Sequence, residues 1–177
     1  MSRLATTHSG VERTLIGTKV EGALNDQIRK EFYSSYLYLS MGAYLSSLNL
    51  KGFAHWMKIQ ASEETKHGMK LYDHLNERGG RVILQQIDAP PSNWKSPKQI
   101  FQQAYQHEQK VTDSINKLVQ LARSEKDNAT ENFLQWFVNE QVEEEATANE
   151  IAQKLQMIGE NSPALIMLDA ELGKRAP

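Results

Sequence analysis

Four stretches of this chain, each about 30 residues long, repeat apolar or small side chains at alternating steps of three and four. They run from Val20 to Leu48, Lys51 to Arg78, Pro97 to Lys126 and Asn128 to Ile158. Each would span about 45 Å as a helix, where an ordinary globular helix averages ~12 residues, so an extended all-α four-helix bundle is expected. The ends carry matching signals. Ser96, Pro97 and Gln99 supply an N-cap, a proline at the first helical position and the partner of a capping box. Gly79 and Gly80 can take the left-handed conformation that stops the second helix, and Gly159 can stop the fourth.

Unequal joints set the topology. A few residues around Asn49 link the first helix to the second, and a few around Asp127 link the third to the fourth, which makes antiparallel neighbours. The segment Gly79 to Lys95, with Pro90, Pro91 and Trp94, is long enough to run the length of a helix, giving one long crossover. Beyond the fourth helix, Ser162 and Pro163 open a short apolar fifth helix, Ala164 to Leu172. Three regions follow: an N-terminal arm (1–19), a four-helix domain (20–158) and a short C-terminal helix with its tail (159–177). The arm lacks a signal peptide's apolar core and reads as loose.

Composition narrows the chemistry. A chain without cysteine has no disulfides, thiolate zinc or cysteine-ligated iron–sulfur cluster, so any metal must rest on His, Asp, Glu or backbone oxygen. A formal net charge of −2 without a basic stripe argues against nucleic acid. No apolar run approaches the ~18 residues of a membrane span. A soluble, cytoplasmic protein is expected.

Polar residues interrupt every helix seam near its middle. The first seam reads Leu24, Ile28, Glu31, Ser35, Tyr38, Gly42, Leu45, and the second Phe53, Met57, Gln60, Glu64, His67, Leu71. The third reads Phe101, Ala104, Glu108, Val111, Ile115, Leu118, Ala122, and the fourth Leu134, Phe137, Gln141, Glu144, Ala148, Ile151, Leu155. An ionised carboxylate in a bundle core costs several kcal/mol unless it is paired or bound to metal. No Lys or Arg stands on these seams to pair with Glu31, Glu64, Glu108 and Glu144. Two divalent cations would supply the missing charge.

The spacing repeats internally. Glu31 to Glu64 and Glu108 to Gln141 are both separated by 33 positions, while Glu31 to Glu108, Glu64 to Gln141, His67 to Glu144 and Glu63 to Glu140 are all offset by 77. Two hairpins therefore each carry a lone Glu on the first helix and a Glu/Gln-x-x-His/Glu pair on the second. Residues three apart share a helix face. One Glu from each of two helices with Glu-x-x-His from the others is the established ligand set of di-iron carboxylate bundles, which this pattern matches. The second pair is Gln141 and Glu144, so the two metal positions should differ. Oxygen-rich ligation with one imidazole suits iron and also admits manganese or zinc.

At these residues the sequence resembles the haem-free ferritins of bacteria and archaea, from about Leu24 to Gly173. The resemblance rests on Glu31-Phe-Tyr-Ser-Ser-x-x-Tyr38, Glu63-Glu64-x-x-His67, His107-Glu108-Gln109 and Phe133-Leu-Gln-Trp-Phe137, with Asn139-Glu140-Gln141-x-Glu143-Glu144-Glu145 following. It implies an iron-storage subunit with ferroxidase activity, Fe2+ and dioxygen as substrates, and a 24-subunit homo-oligomeric shell holding ferric mineral. Glu31, Glu64 and His67 would hold the first of two irons. Glu64 would bridge to the second, held by Glu108 and Glu144, with Gln141 nearby. Tyr38 matches the family tyrosine that donates a hydrogen bond or an electron to the centre. Glu63, Glu140 and Glu143, with Glu144, match an additional third iron position opening toward the cavity.

Bacterioferritins carry a second E-x-x-H on the fourth helix and a haem-binding methionine between Glu and His of the second; Glu144 and Thr65 stand there here, so no haem is expected. Glu131 is a candidate for the entry channel, and Asp127 a weaker one. Ferritin subunits without a competent centre lose the glutamates and histidine retained here. A rubrerythrin-type oxygenase or peroxidase would want a second histidine ligand and usually a cysteine-bound iron. His107 and His74 read as surface or interface histidines, and Trp56, Trp94 and Trp136 as packing residues. Tyr33, Tyr36, Leu37 and Tyr44 lie off the first seam and suggest a second apolar face covered by self-association.

Overall fold

The computed structural model describes residues 15–158 and 162–176. Its helices are α1 (Thr18–Ser47), α2 (Lys51–Glu77), α3 (Pro97–Ser124), α4 (Asn128–Ile158) and α5 (Pro163–Leu172), an all-α four-helix bundle with one long crossover and a short fifth helix. Every residue of the four seams is buried, because steps of three and four keep one stripe of each helix turned inward. Most of the arm, residues 1–14, lies outside the described residues, as does Gly159. Ile16, expected within the loose arm, is instead buried in the core, and Leu15 N donates to Arg78 O at 3.2 Å.

The helix ends follow local chemistry. Ser96 Oγ accepts from Gln99 N at 3.3 Å, while Gln99 Oε1 reaches back to Lys95 N at 2.6 Å, one residue before the expected capping-box donor. Gly79 is left-handed at φ 69° after the C-cap of α2. Asn49 (φ 60°) and Lys126 (φ 58°) make the tight joints of the two hairpins.

The long crossover lies along α1. Buried Asn25 at one end donates to Arg81 O at 2.9 Å and accepts from Ile83 N at 2.7 Å. Toward the other end Ser40 Oγ donates to Pro91 O at 2.6 Å, and the Tyr44 hydroxyl donates to Trp94 O. An extended segment has no helix ladder, so these side chains satisfy its backbone and fix its direction. α3 therefore starts at the end where α2 started.

Within each hairpin the helices pack closely, α1 on α2 and α3 on α4, and α1 also packs on α3. Among the described residues, no Cα of α2 lies within 8 Å of one in α4. Side chains alone fill that face: His74 stacks on Phe133 at 3.8 Å between ring centroids, and His67 meets Phe137 edge-on at 6.0 Å. Two apolar clusters occupy the ends of the bundle, one around Phe53, Met57, Phe101 and Ile151, the other around Leu24, Leu71, Ile115 and Leu134. Between them lies the belt of buried carboxylates. No helix is long and apolar enough to cross a membrane.

Candidate metal centre

Glu31, Glu64, Glu108 and Glu144 are all buried. Glu31, Glu64 and His67 each offer a ligand atom, all within 4.8 Å of one another, and a second such group is made by His67, Glu140 and Glu144. Two helices thus meet α2 at His67, whose position three residues after Glu64 turns both side chains to the same point. Among the described residues, no Lys or Arg forms a salt bridge with any of the four buried carboxylates. Glu31 Oε2 is buried with no hydrogen-bond partner. A buried acceptor left orphaned costs ~1–3 kcal/mol, which a bound cation would offset.

Neutral amides and hydroxyls surround the belt. Gln27 Nε2 donates to Glu31 Oε1 at 2.7 Å, and Ser114 Oγ donates to Gln27 Oε1 at 2.6 Å, fixing which way that amide faces. Gln60, fully buried, donates to Glu144 Oε2 at 2.6 Å and more distantly to Glu64 Oε1 at 3.4 Å. Gln141 Nε2 donates to Glu108 Oε2 at 3.2 Å, and the buried Tyr38 hydroxyl donates to Glu108 Oε1. Glu108 is held by these two donors and belongs to neither ligand group.

Burial with like charges dictates the protonation. Burial above all pushes Glu31 up to about 7 and Glu144 up to about 8, the latter helped by the Glu108 charge. Glu64 is driven well above the usual carboxylate range by burial and then by Glu108, Glu31 and Glu144. Glu108 also rises through burial, although the bonds from Tyr38 and Gln141 pull the other way. His67 falls to about 4 through burial, then Lys70 and Lys66, which leaves a neutral imidazole ready to ligate. Burial, then the neighbouring Glu108 charge, keeps Tyr38 protonated well beyond the ordinary phenol range.

The residues expected at a third metal position are only partly brought together. Glu140 and Glu144 converge with His67, but Glu143 is exposed and Glu63 is bound by Arg175 of the C-terminal tail. Burial raises the Glu140 carboxyl, as do Glu143 and Glu63. Asp127 caps α4: Oδ1 accepts from Thr130 N at 3.1 Å and lies 2.9 Å from Arg78 Nη1. Desolvation opposes ionisation there, but the Thr130 and Arg78 bonds hold the carboxyl below its ordinary range. Glu131 is ion-paired to Arg123 at 2.7 Å.

Two histidines expected at the surface or at an interface are covered within the subunit. His107 is half-buried and bonds Ser34 Oγ at 2.7 Å, while burial lowers it to about 4. His74 is buried against Phe133 and bonds Thr130 Oγ1 at 3.0 Å. Their partners sit on other helices, which spacing within one helix does not reveal. Gln27, Gln60 and Arg175 were missed as parts of the site. Gln27 precedes Glu31 by one helical turn and Gln60 stands on a seam, signals that were available; nothing local marks Arg175.

Residues 21–158 match the model of the ferritin-like domain. The chain belongs to the ferritin family. It is 42% identical to a bacterial non-heme ferritin of Bacteroides fragilis over 161 residues, covering 91% of this chain and all of that one. A bacterial non-heme ferritin of Campylobacter jejuni is 42% identical over 155 residues, 88% of this chain and 93% of that one. Among solved structures, an open pore ferritin from the archaeon Archaeoglobus fulgidus superposes with a TM-score of 0.91 at 53% identity, over 92% of this chain and 99% of that one. Like other ferritins, this chain serves iron storage.

Proposed function

We propose that this ferritin is a ferroxidase working in the cytoplasm as a 24-subunit shell. Glu31, Glu64 and His67 hold one Fe2+, and Glu64 bridges to a second held by Glu108 and Glu144, with Gln141 beside it. The observation that carries this reading is the convergence of Glu31, Glu64 and His67, in which a buried Glu31 oxygen has no protein partner. Iron is substrate here. Each of the two Fe2+ ions gives up one electron, dioxygen accepts both, and the resulting Fe3+ moves toward the cavity as hydrolysed product.

The chain's own groups set the conditions for that step. Carboxylates ligate the harder Fe3+ more strongly than Fe2+, which lowers the potential of the pair and favours oxidation. Tyr38, bonded to Glu108, fixes one ligand and serves as a donor of a proton or an electron to the centre. Glu140 and Glu143 lie on the α4 side, where the product would leave.

Stopped-flow oxidation of Fe2+ by the assembled protein tests the reading. Glu64→Ala should lose the fast phase while size-exclusion chromatography still shows the shell. An unchanged fast phase in that variant would remove the bridging role.

A further inference from the structure

The C-terminal tail reaches the metal belt through a tightly set joint. α5 crosses the start of α2 at Gly52, where a Cβ would come to 1.6 Å from Asp169 O. The Asp169 carboxylate accepts from Phe53 N at 2.8 Å and so caps α2, which has no side-chain cap from its own preceding residue. Gly173 backs onto the same spot, 3.2 Å from its would-be Cβ to Gly52 Cα. Two residues later His55 Nε2 donates to the Arg175 carbonyl at 2.9 Å. The guanidinium then lies over the Trp56 ring, 4.6 Å from its centroid, with Nη1 on Gln60 Oε1 at 2.9 Å and Nη2 on Glu63.

We propose that Arg175 is a built-in cation at the third metal position, keeping Glu63 from binding metal and orienting Gln60 toward the two-iron centre. This rests on the two-iron reading above. A guanidinium has donors only, so its bond to Gln60 Oε1 forces the Gln60 amide nitrogen toward Glu144 and Glu64. Glu63, already neutralised, does not join the His67, Glu140 and Glu144 group. Arg175 acts as a positioning residue, and any metal at this belt is held without Glu63.

Anomalous diffraction from crystals of the full chain soaked in Zn2+, a redox-inert probe, counts the ions directly. The unaltered protein should show metal at Glu64 and none within ligand distance of Glu63. Arg175→Ala should add a peak at Glu63, and Arg175→Lys, which keeps the charge, should not. The double variant Arg175→Ala with Glu63→Gln should lose the added peak. Metal on Glu63 in the unaltered protein, or none there in Arg175→Ala, overturns the proposal. Absence of metal at Glu64 in the unaltered protein instead overturns the two-iron reading and leaves the Glu63 peaks to be judged on their own. Should Arg175→Ala fail to assemble, Glu63→Gln alone decides: an unchanged ion count supports the proposal and a lost ion refutes it.

Discussion

At the scale of single residues, the four buried carboxyls make metal binding a proton-exchange reaction. Glu31 and Glu144 titrate near 7 and 8, so at about pH 6.5 both are largely protonated and must release protons when cations bind. We predict that proton release per bound Zn2+, measured by calorimetry in buffers of different ionisation heat, falls as pH rises from about 6.5 to about 9. A flat profile would contradict the raised carboxyls. The same shifts govern the metal-free protein. Because the folded values lie above the unfolded 4.5, their contribution to stability is fully present below about pH 4.5 and is lost as pH climbs through 7 and 8. His67 and His107, both near 4, are already neutral throughout the upper part of that range. The metal-free denaturation midpoint should therefore drop between about pH 6.5 and about pH 9, and excess Zn2+ should reverse the drop. Tyr38→Phe keeps the ring and removes the donor to Glu108, with an expected stability loss of ~1–2 kcal/mol in chemical denaturation.

Elements are where the sequence was most legible. Periodicity alone located all four seams, and every seam residue is buried, because a 30-residue stripe has many chances to repeat and a mis-phased reading would soon place charges inside. The candidate ligands Glu31, Glu64 and His67 were legible for the same reason, as breaks in that stripe. What stayed hidden depends on approach between elements: His74 on Phe133, His107 on Ser34, and above all Arg175 on Glu63, 112 positions away. No local pattern encodes a contact made by a tail folding back. The joint that makes this contact is testable. Gly52→Ala would drive a Cβ into the α5 backbone, so we expect a loss of ~1–3 kcal/mol from the strain, with α5 becoming the first protease-cut segment. If α5 is cleaved no faster than in the unaltered chain, the close approach is not what holds it.

Over the whole molecule, the apolar surface left uncovered points to self-association. Leu37 is buried within the subunit, Tyr33 and Tyr44 are partly covered, and only Tyr36 of the four expected residues stays exposed, at 52%. Leu39 on the same helix and Ile83 and Leu84 on the crossover are exposed as well. A charge there would have to be desolvated on assembly, so Leu84→Glu should shift the protein to small oligomers by mass photometry while its helical circular dichroism stays unchanged. A full shell from that variant would place the contact elsewhere. The widest consequence comes from the face where α2 meets α4. Side chains bridge it, Gln60 to Glu144 at 2.6 Å and His74 to Thr130 at 3.0 Å, so parting the two hairpins there means breaking those bonds. Loosening of that kind would leave every helical backbone bond intact, so amide exchange would not report it.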